Sequence, residues 1–154
     1  MSEETGYRHV VRLANTDLDG SLPLVYGLAG IKGVGFNTAL AILRVAGINP
    51  WKLTGELSDE EIRKIESILV DPLSNGIPGW MLNRRKDYET GLDLHLIGSD
   101  LIFKARQDIE REIKIKSWRG IRHSLGLKVR GQRTATTGRF GPTVGVTKKK
   151  PTQK

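Results

Sequence analysis

The chain of 154 residues contains no cysteine. That excludes a disulfide scaffold, a thiol nucleophile and every zinc site built on thiolates. No apolar run approaches the ~18 residues that span a bilayer as a helix, which argues against an integral membrane protein. The first residues, Met1-Ser2-Glu3-Glu4, are acidic and lack the basic-then-apolar pattern of an export signal. The expectation is an intracellular, soluble protein. Apolar residues make up 38% of the chain, below the usual ~45–50%. That suffices for a small hydrophobic core and no more. The last absence is local: no acid follows Glu112.

What is present is positive charge, unevenly placed. The chain carries a formal +8, with a sequence pI near 9.9, which points to a polyanionic partner. Residues 1–100 hold 10 Lys and Arg against 14 Asp and Glu, a net of −4. Residues 101–154 hold 15 against 3, a net of +12, and 12 of those cations follow Glu112. The first part can fold and meet proteins, while the second repels itself unless something anionic neutralises it. The division is placed at 1–117 and 118–154.

The pattern along the chain predicts a mainly α protein. Tyr7–Leu13 reads as a short strand and Asn15–Gly20 as a turn. Ser21 stands as N-cap before Pro23, and a short helix follows to about Leu28. Gly30-Ile31-Lys32-Gly33-Val34-Gly35 breaks it. A second helix opens near Asn37 with Ala39, Ile42, Leu43 and Ala46 on one face, and ends at Gly47. Asn49-Pro50 is a linker. Ser58 and Glu61 form a capping box before a helix presenting Ile62, Ile65 and Leu69, ended by Asp71-Pro72. Trp80–Leu82 and Leu92–Ile97 are set to pair as a small hairpin. Ser99 caps a longer helix, Asp100 to Lys116, with Ile102, Ala105, Ile109 and Ile113 on one face. Beyond Ser117 no period is sustained, and an extended basic tail is expected.

Two constellations carry chemistry. Ile31-Lys32-Gly33-Val34-Gly35 has the form of a helix-hairpin-helix element. Gly33 and Gly35 let backbone approach a phosphate, the next helix offers unpaired N–H groups, and Lys32 adds a point charge. Ile31 and Val34 would pin the hairpin to the core. An ordinary glycine-rich helix connection fits the same residues. A dinucleotide fingerprint fits less well, because a helix and not a strand precedes the glycines. The second constellation runs from Trp118 and Arg119 through Arg122, His123, Lys128, Arg130, Gln132, Arg133 and Thr134. Guanidinium forks at this spacing can meet successive phosphates, with Gln132 and Thr134 as hydrogen-bonding partners and Trp118 and His123 stacking on bases. The plain alternative is a solvated tail. Against it, Leu125, Leu127 and Val129 alternate regularly among the cations. Lys148-Lys149-Lys150 is a cationic run that also suits a nuclear address signal.

Catalytic patterns fail in turn. His9, His95 and His123 lie far apart with no ligand spacing. Asp17-Leu18-Asp19-Gly20 resembles a calcium loop, but Leu28 occupies the place of its bidentate Glu. Asp59, Glu60 and Glu61 sit in a first helical turn, where carboxylates favour the dipole. No serine occupies a nucleophile elbow. No enzyme, metal or cofactor is expected.

With these motifs in view, the chain resembles the small-subunit ribosomal protein family numbered thirteen in bacteria and eighteen in eukaryotes. Gly30–Gly35 looks like its helix-hairpin element, and Arg119–His123 with Val129–Thr134 matches its signature block. Ile77–Arg84 and Thr143–Lys150 resemble the archaeal and eukaryotic branch, and the compact chain favours an archaeal source. The resemblance implies a cytoplasmic ribosomal protein in the head of the small subunit, bound to small-subunit rRNA mainly through Arg119–Thr134. It implies head protein nineteen (bacterial numbering) as a neighbour and a bridge to large-subunit protein five. It also implies a C-terminal tail, with Arg139, Lys148, Lys149 and Lys150, that reaches the peptidyl-site tRNA and decoding region. Two other classes remain open from the residues alone. A DNA-repair enzyme with a helix-hairpin element would form a borohydride-trappable adduct. A chromatin-like compactor would bind duplex DNA and structured rRNA equally.

Overall fold

The computed structural model describes residues 7–136. Two antiparallel strands open it, β1 (Val10–Leu13) and β2 (Thr16–Asp19). They are joined by Ala14 and Asn15, both at positive φ (47° and 58°), the backbone of the two-residue hairpin turn that matches strand twist. Val11 pairs with Leu18 and Leu13 with Thr16. Val11, Leu13 and Leu18 therefore share the buried face. The short hairpin of this fold thus lies at the amino end. The stretch expected as a turn continues as β2, because Leu18 alone supplies the apolar side of that strand.

Helix α1 (Leu24–Ala29) follows, with Pro23 at its N-cap and no side chain capping it. Ser21 serves elsewhere: its amide and hydroxyl both donate to Asp19 Oδ1, at 2.9 and 2.7 Å. Helix α2 (Phe36–Ala46) buries Ala39, Ile42 and Leu43 and closes at Gly47. Helix α3 (Asp59–Val70) carries the complete capping box. Ser58 Oγ accepts from the Glu61 amide at 3.3 Å, and the Ser58 amide donates to Glu61 Oε2 at 2.9 Å. Burial pushes the Glu61 carboxyl up, but Lys52 Nζ, 2.7 Å away, and the Ser58 amide hold it below its usual range. The core is made by β1, β2 and α1–α3 with Ile31, Val34, Ile48, Leu57 and Ile77.

Helix α4 (Gly98–Lys114) and helix α5 (Trp118–Ser124) complete the described elements. No residue of α4 is fully buried: Ile102 is half-buried, and Ile109 and Ile113 are each 38% exposed, so its expected apolar face is only partly covered. Gly79–Met81 is a 3₁₀ turn, and the hairpin expected around it reduces to a single bridge, Arg84 with Leu94. Asn83 extends that pairing with its side chain: Nδ2 donates to the Leu96 carbonyl at 2.6 Å and Oδ1 accepts from the Leu96 amide at 2.9 Å. The chain forms two compact units that part between Ala105 and Arg106. The expectation of an extended chain from 118 is corrected by α5. At 7 residues it is too short to show a period, and its start is fixed by contact with residues before it.

Candidate nucleic-acid interface

In the first unit, the Gly30–Gly35 loop is held from below. Ile31 and Val34 are buried, and the Val34 amide donates to the Ile31 carbonyl at 3.0 Å. Lys32 is exposed, while its carbonyl accepts from the Gly98 amide at 2.8 Å. Gly33 has φ +101° and lies so close to the neighbouring chain that a Cβ would sit 2.4 Å from the Leu96 carbonyl oxygen. Gly35 is different. It is exposed, forms the N-cap of α2 with φ −99°, and a Cβ there meets nothing within 4 Å. No side chain caps this helix, so its amino end keeps the partial positive charge of unpaired N–H groups facing outward.

In the second unit, α5 gathers the cations. Ser117 Oγ donates to Glu112 Oε2 at 2.6 Å and accepts from the Gly120 amide at 3.0 Å, which ties the start of α5 to the end of α4. Trp118 presents an indole that is 72% exposed, with the Arg122 guanidinium 5.7 Å from its ring centroid. Arg122 Nε also donates to the Lys128 carbonyl at 2.9 Å, and the Leu127 amide donates to the Arg122 carbonyl at the same distance. The chain therefore folds back after α5 and places Lys128 beside Arg122. Arg119 stays exposed, with Glu112 Oε1 3.9 Å from its Nη1. A small cavity of about 180 Å³ is lined by Asp108, Ile109, Arg111, Glu112, Arg119 and His123.

The sequence candidates are therefore gathered into two sets. Trp118, Arg119, Arg122, His123 and Lys128 share the second unit around α5, and Lys32, Gly33 and Gly35 share one loop of the first. Arg130, Gln132, Arg133 and Thr134 are exposed and follow in irregular chain. Arg139, Lys148, Lys149 and Lys150 lie outside the described residues. Among the described residues no cluster of His, Cys, Asp or Glu has metal-ligand geometry, and no helix is long and apolar enough to cross a membrane. His95 keeps both ring nitrogens buried without a hydrogen-bond partner among the described residues, and burial pushes its pKa down.

A family model described as ribosomal protein S13/S18 matches residues 12–140. The chain belongs to that family, whose members are structural, non-enzymatic proteins of the small ribosomal subunit, and so to the cytoplasmic ribosome. Within the family it is of archaeal type. It is 65% identical over 150 residues to small ribosomal subunit protein uS13 of Staphylothermus marinus, covering 97% of this chain and 99% of that protein. The protein of the same name from Aeropyrum pernix is 61% identical over 150 residues, covering 97% of this chain and 100% of that one. The uS13 of Saccharolobus solfataricus is 59% identical over 147 residues, covering 96% and 89%.

Proposed function

We propose that this chain binds small-subunit rRNA in the head of the subunit, acting by charge neutralisation and positioning with no covalent step. In this reading the segment 118–154 is the RNA-binding part and 1–117 the body. Trp118, Arg119, Arg122, His123, Lys128, Arg130, Gln132, Arg133 and Thr134 make the main rRNA contact. Lys32, Gly33 and Gly35 add a second one at the amino end of α2. The tail residues Arg139, Lys148, Lys149 and Lys150 extend to the peptidyl-site tRNA and decoding region. The body meets head protein nineteen and reaches large-subunit protein five across the intersubunit bridge.

The observation that carries the reading is the grouping of Arg122, Lys128 and the open Trp118 ring on one short helix and its return. A guanidinium held by its own chain is pre-organised for a bidentate phosphate contact, and an exposed indole beside it suits a nucleotide face. The net of +12 after residue 100 supplies the long-range attraction.

The test compares two double variants in purified small subunits. Arg130→Ala with Arg133→Ala is expected to lower occupancy of the protein, read by quantitative mass spectrometry, more than Lys148→Ala with Lys149→Ala. Planar forks lose specific paired bonds that a point charge does not make. The reverse order would mislocate the binding core.

A further inference from the structure

Residues 84–86, Arg-Arg-Lys, are the one run of three cations in a first hundred residues that otherwise lean acidic. The structure treats the three differently. Arg84 is drawn inward: its Nε donates to Asp87 Oδ1, and its backbone bridges Leu94. Asp87 is buried and also accepts from the Thr90 amide at 3.3 Å and hydroxyl at 3.1 Å, which sets the shape of the loop. Arg85 and Lys86 are left exposed. Together with Trp80, Gly79 and Asp93 they line an open cavity of about 500 Å³. Trp80 is 70% exposed, yet its backbone is fixed by the 3₁₀ turn between buried Ile77 and Leu82. Asp93 is fixed too: its Oδ1 accepts from the Lys86 amide at 2.7 Å, and its Oδ2 lies against Gly79.

We infer that this cavity is a nucleotide-binding site separate from α5, and that it takes an unpaired RNA base with adjacent donors on its Watson–Crick edge, guanine first. Each part has a task. The open indole is a stacking face for a base, and Arg85 and Lys86 meet the flanking phosphates. Asp93 selects the occupant. A carboxylate is acceptor-only, so it repels a bare phosphate or an acidic peptide and receives N–H groups. Guanine offers ring N1–H and exocyclic N2–H side by side, matching two carboxylate oxygens. Uracil offers one N–H flanked by carbonyls. Volume agrees, since ligand cavities run about 300–1,000 Å³.

The experiment uses the full-length chain carrying Trp51→Phe and Trp118→Phe, which leaves Trp80 as the only indole reporter. Both replaced residues are exposed, so the core is unaffected. The trinucleotides UGU, UAU and UUU are titrated at low salt against Trp80 fluorescence. The expected result is saturable quenching, with UGU binding about tenfold more tightly than UUU. Asp93→Asn is expected to erase that preference, and Arg85→Ala with Lys86→Ala to weaken all three ligands alike. Adding Arg130→Ala and Arg133→Ala is expected to leave UGU binding intact, which separates this site from the rRNA contact proposed above. Equal affinity for the three ligands, an unchanged preference in Asp93→Asn, absence of quenching, or loss of binding with the Arg130 and Arg133 changes would each overturn the inference.

Discussion

Gly120 lies against the carbonyl of Glu112 so closely that a Cβ would stand 2.1 Å from that oxygen. The contact joins the end of α4 to the start of α5, beside the Ser117 hydroxyl that accepts from the Gly120 amide. Gly120→Ala must therefore push the two chain segments apart. Overpacking of this kind costs about 1–3 kcal/mol. The core lies in the other unit, so the expected outcome is loss of amide protection in residues 118–124 with an unchanged global melting transition. Hydrogen exchange read residue by residue checks it.

Two glycines of one loop are expected to respond unequally. Gly33→Ala places a Cβ at φ +101° and 2.4 Å from the Leu96 carbonyl. The left-handed strain alone is worth about 1–2 kcal/mol, and the clash adds to it. A clear fall in melting temperature is predicted. Gly35→Ala meets open space at an ordinary φ, so only the smaller loss from replacing a glycine N-cap by Ala is expected. If backbone at Gly35 approaches a phosphate, that second variant folds normally and binds rRNA more weakly. Melting curves and filter binding on the same two proteins separate the roles.

Asp87 gives a pH prediction. The Arg84 side chain, outweighing the effect of burial, with help from Thr90 and Lys104, holds its carboxyl down at about 2. A group depressed on folding stabilises the native state above its unfolded pKa, and that stabilisation is lost as pH falls through the folded value. Between about pH 4 and pH 2 the unfolded chain binds the extra proton, so stability should decline across that window. Asp87→Asn should flatten the decline, since it removes the titrating group. Denaturant midpoints measured at half-unit pH steps for both proteins provide the comparison.

Much of this arrangement was legible in the residues, for identifiable reasons. The Ser58 and Glu61 box, the Ala39, Ile42 and Leu43 face and the stop at Gly47 are local signals, and each forms where its chemistry points. Ile31 and Val34 pin their loop as two apolar residues among glycines should. Other features have local causes that apolar spacing does not announce. Strand β2 has only Leu18 to announce it, and its pairing is set by Ala14 and Asn15 at positive φ. Helix α5 starts where the Ser117 hydroxyl accepts from the Gly120 amide and donates to Glu112 five residues back, a polar cap that hydrophobic spacing cannot report. At Trp80 an apolar residue in a strand-like run turned out to be exposed in a 3₁₀ turn. The apolar spacing of α4 is real, but that face is only partly covered.

The central claim is that the basic part of this chain holds RNA by displacing counterions. Equilibrium binding of the full-length protein to small-subunit rRNA, measured from low to high monovalent salt, tests it most directly. If half of the 12 cations after Glu112 meet phosphates, a log–log slope of about −4 follows for single-stranded contacts. Affinity that stays level across the salt range would contradict the account.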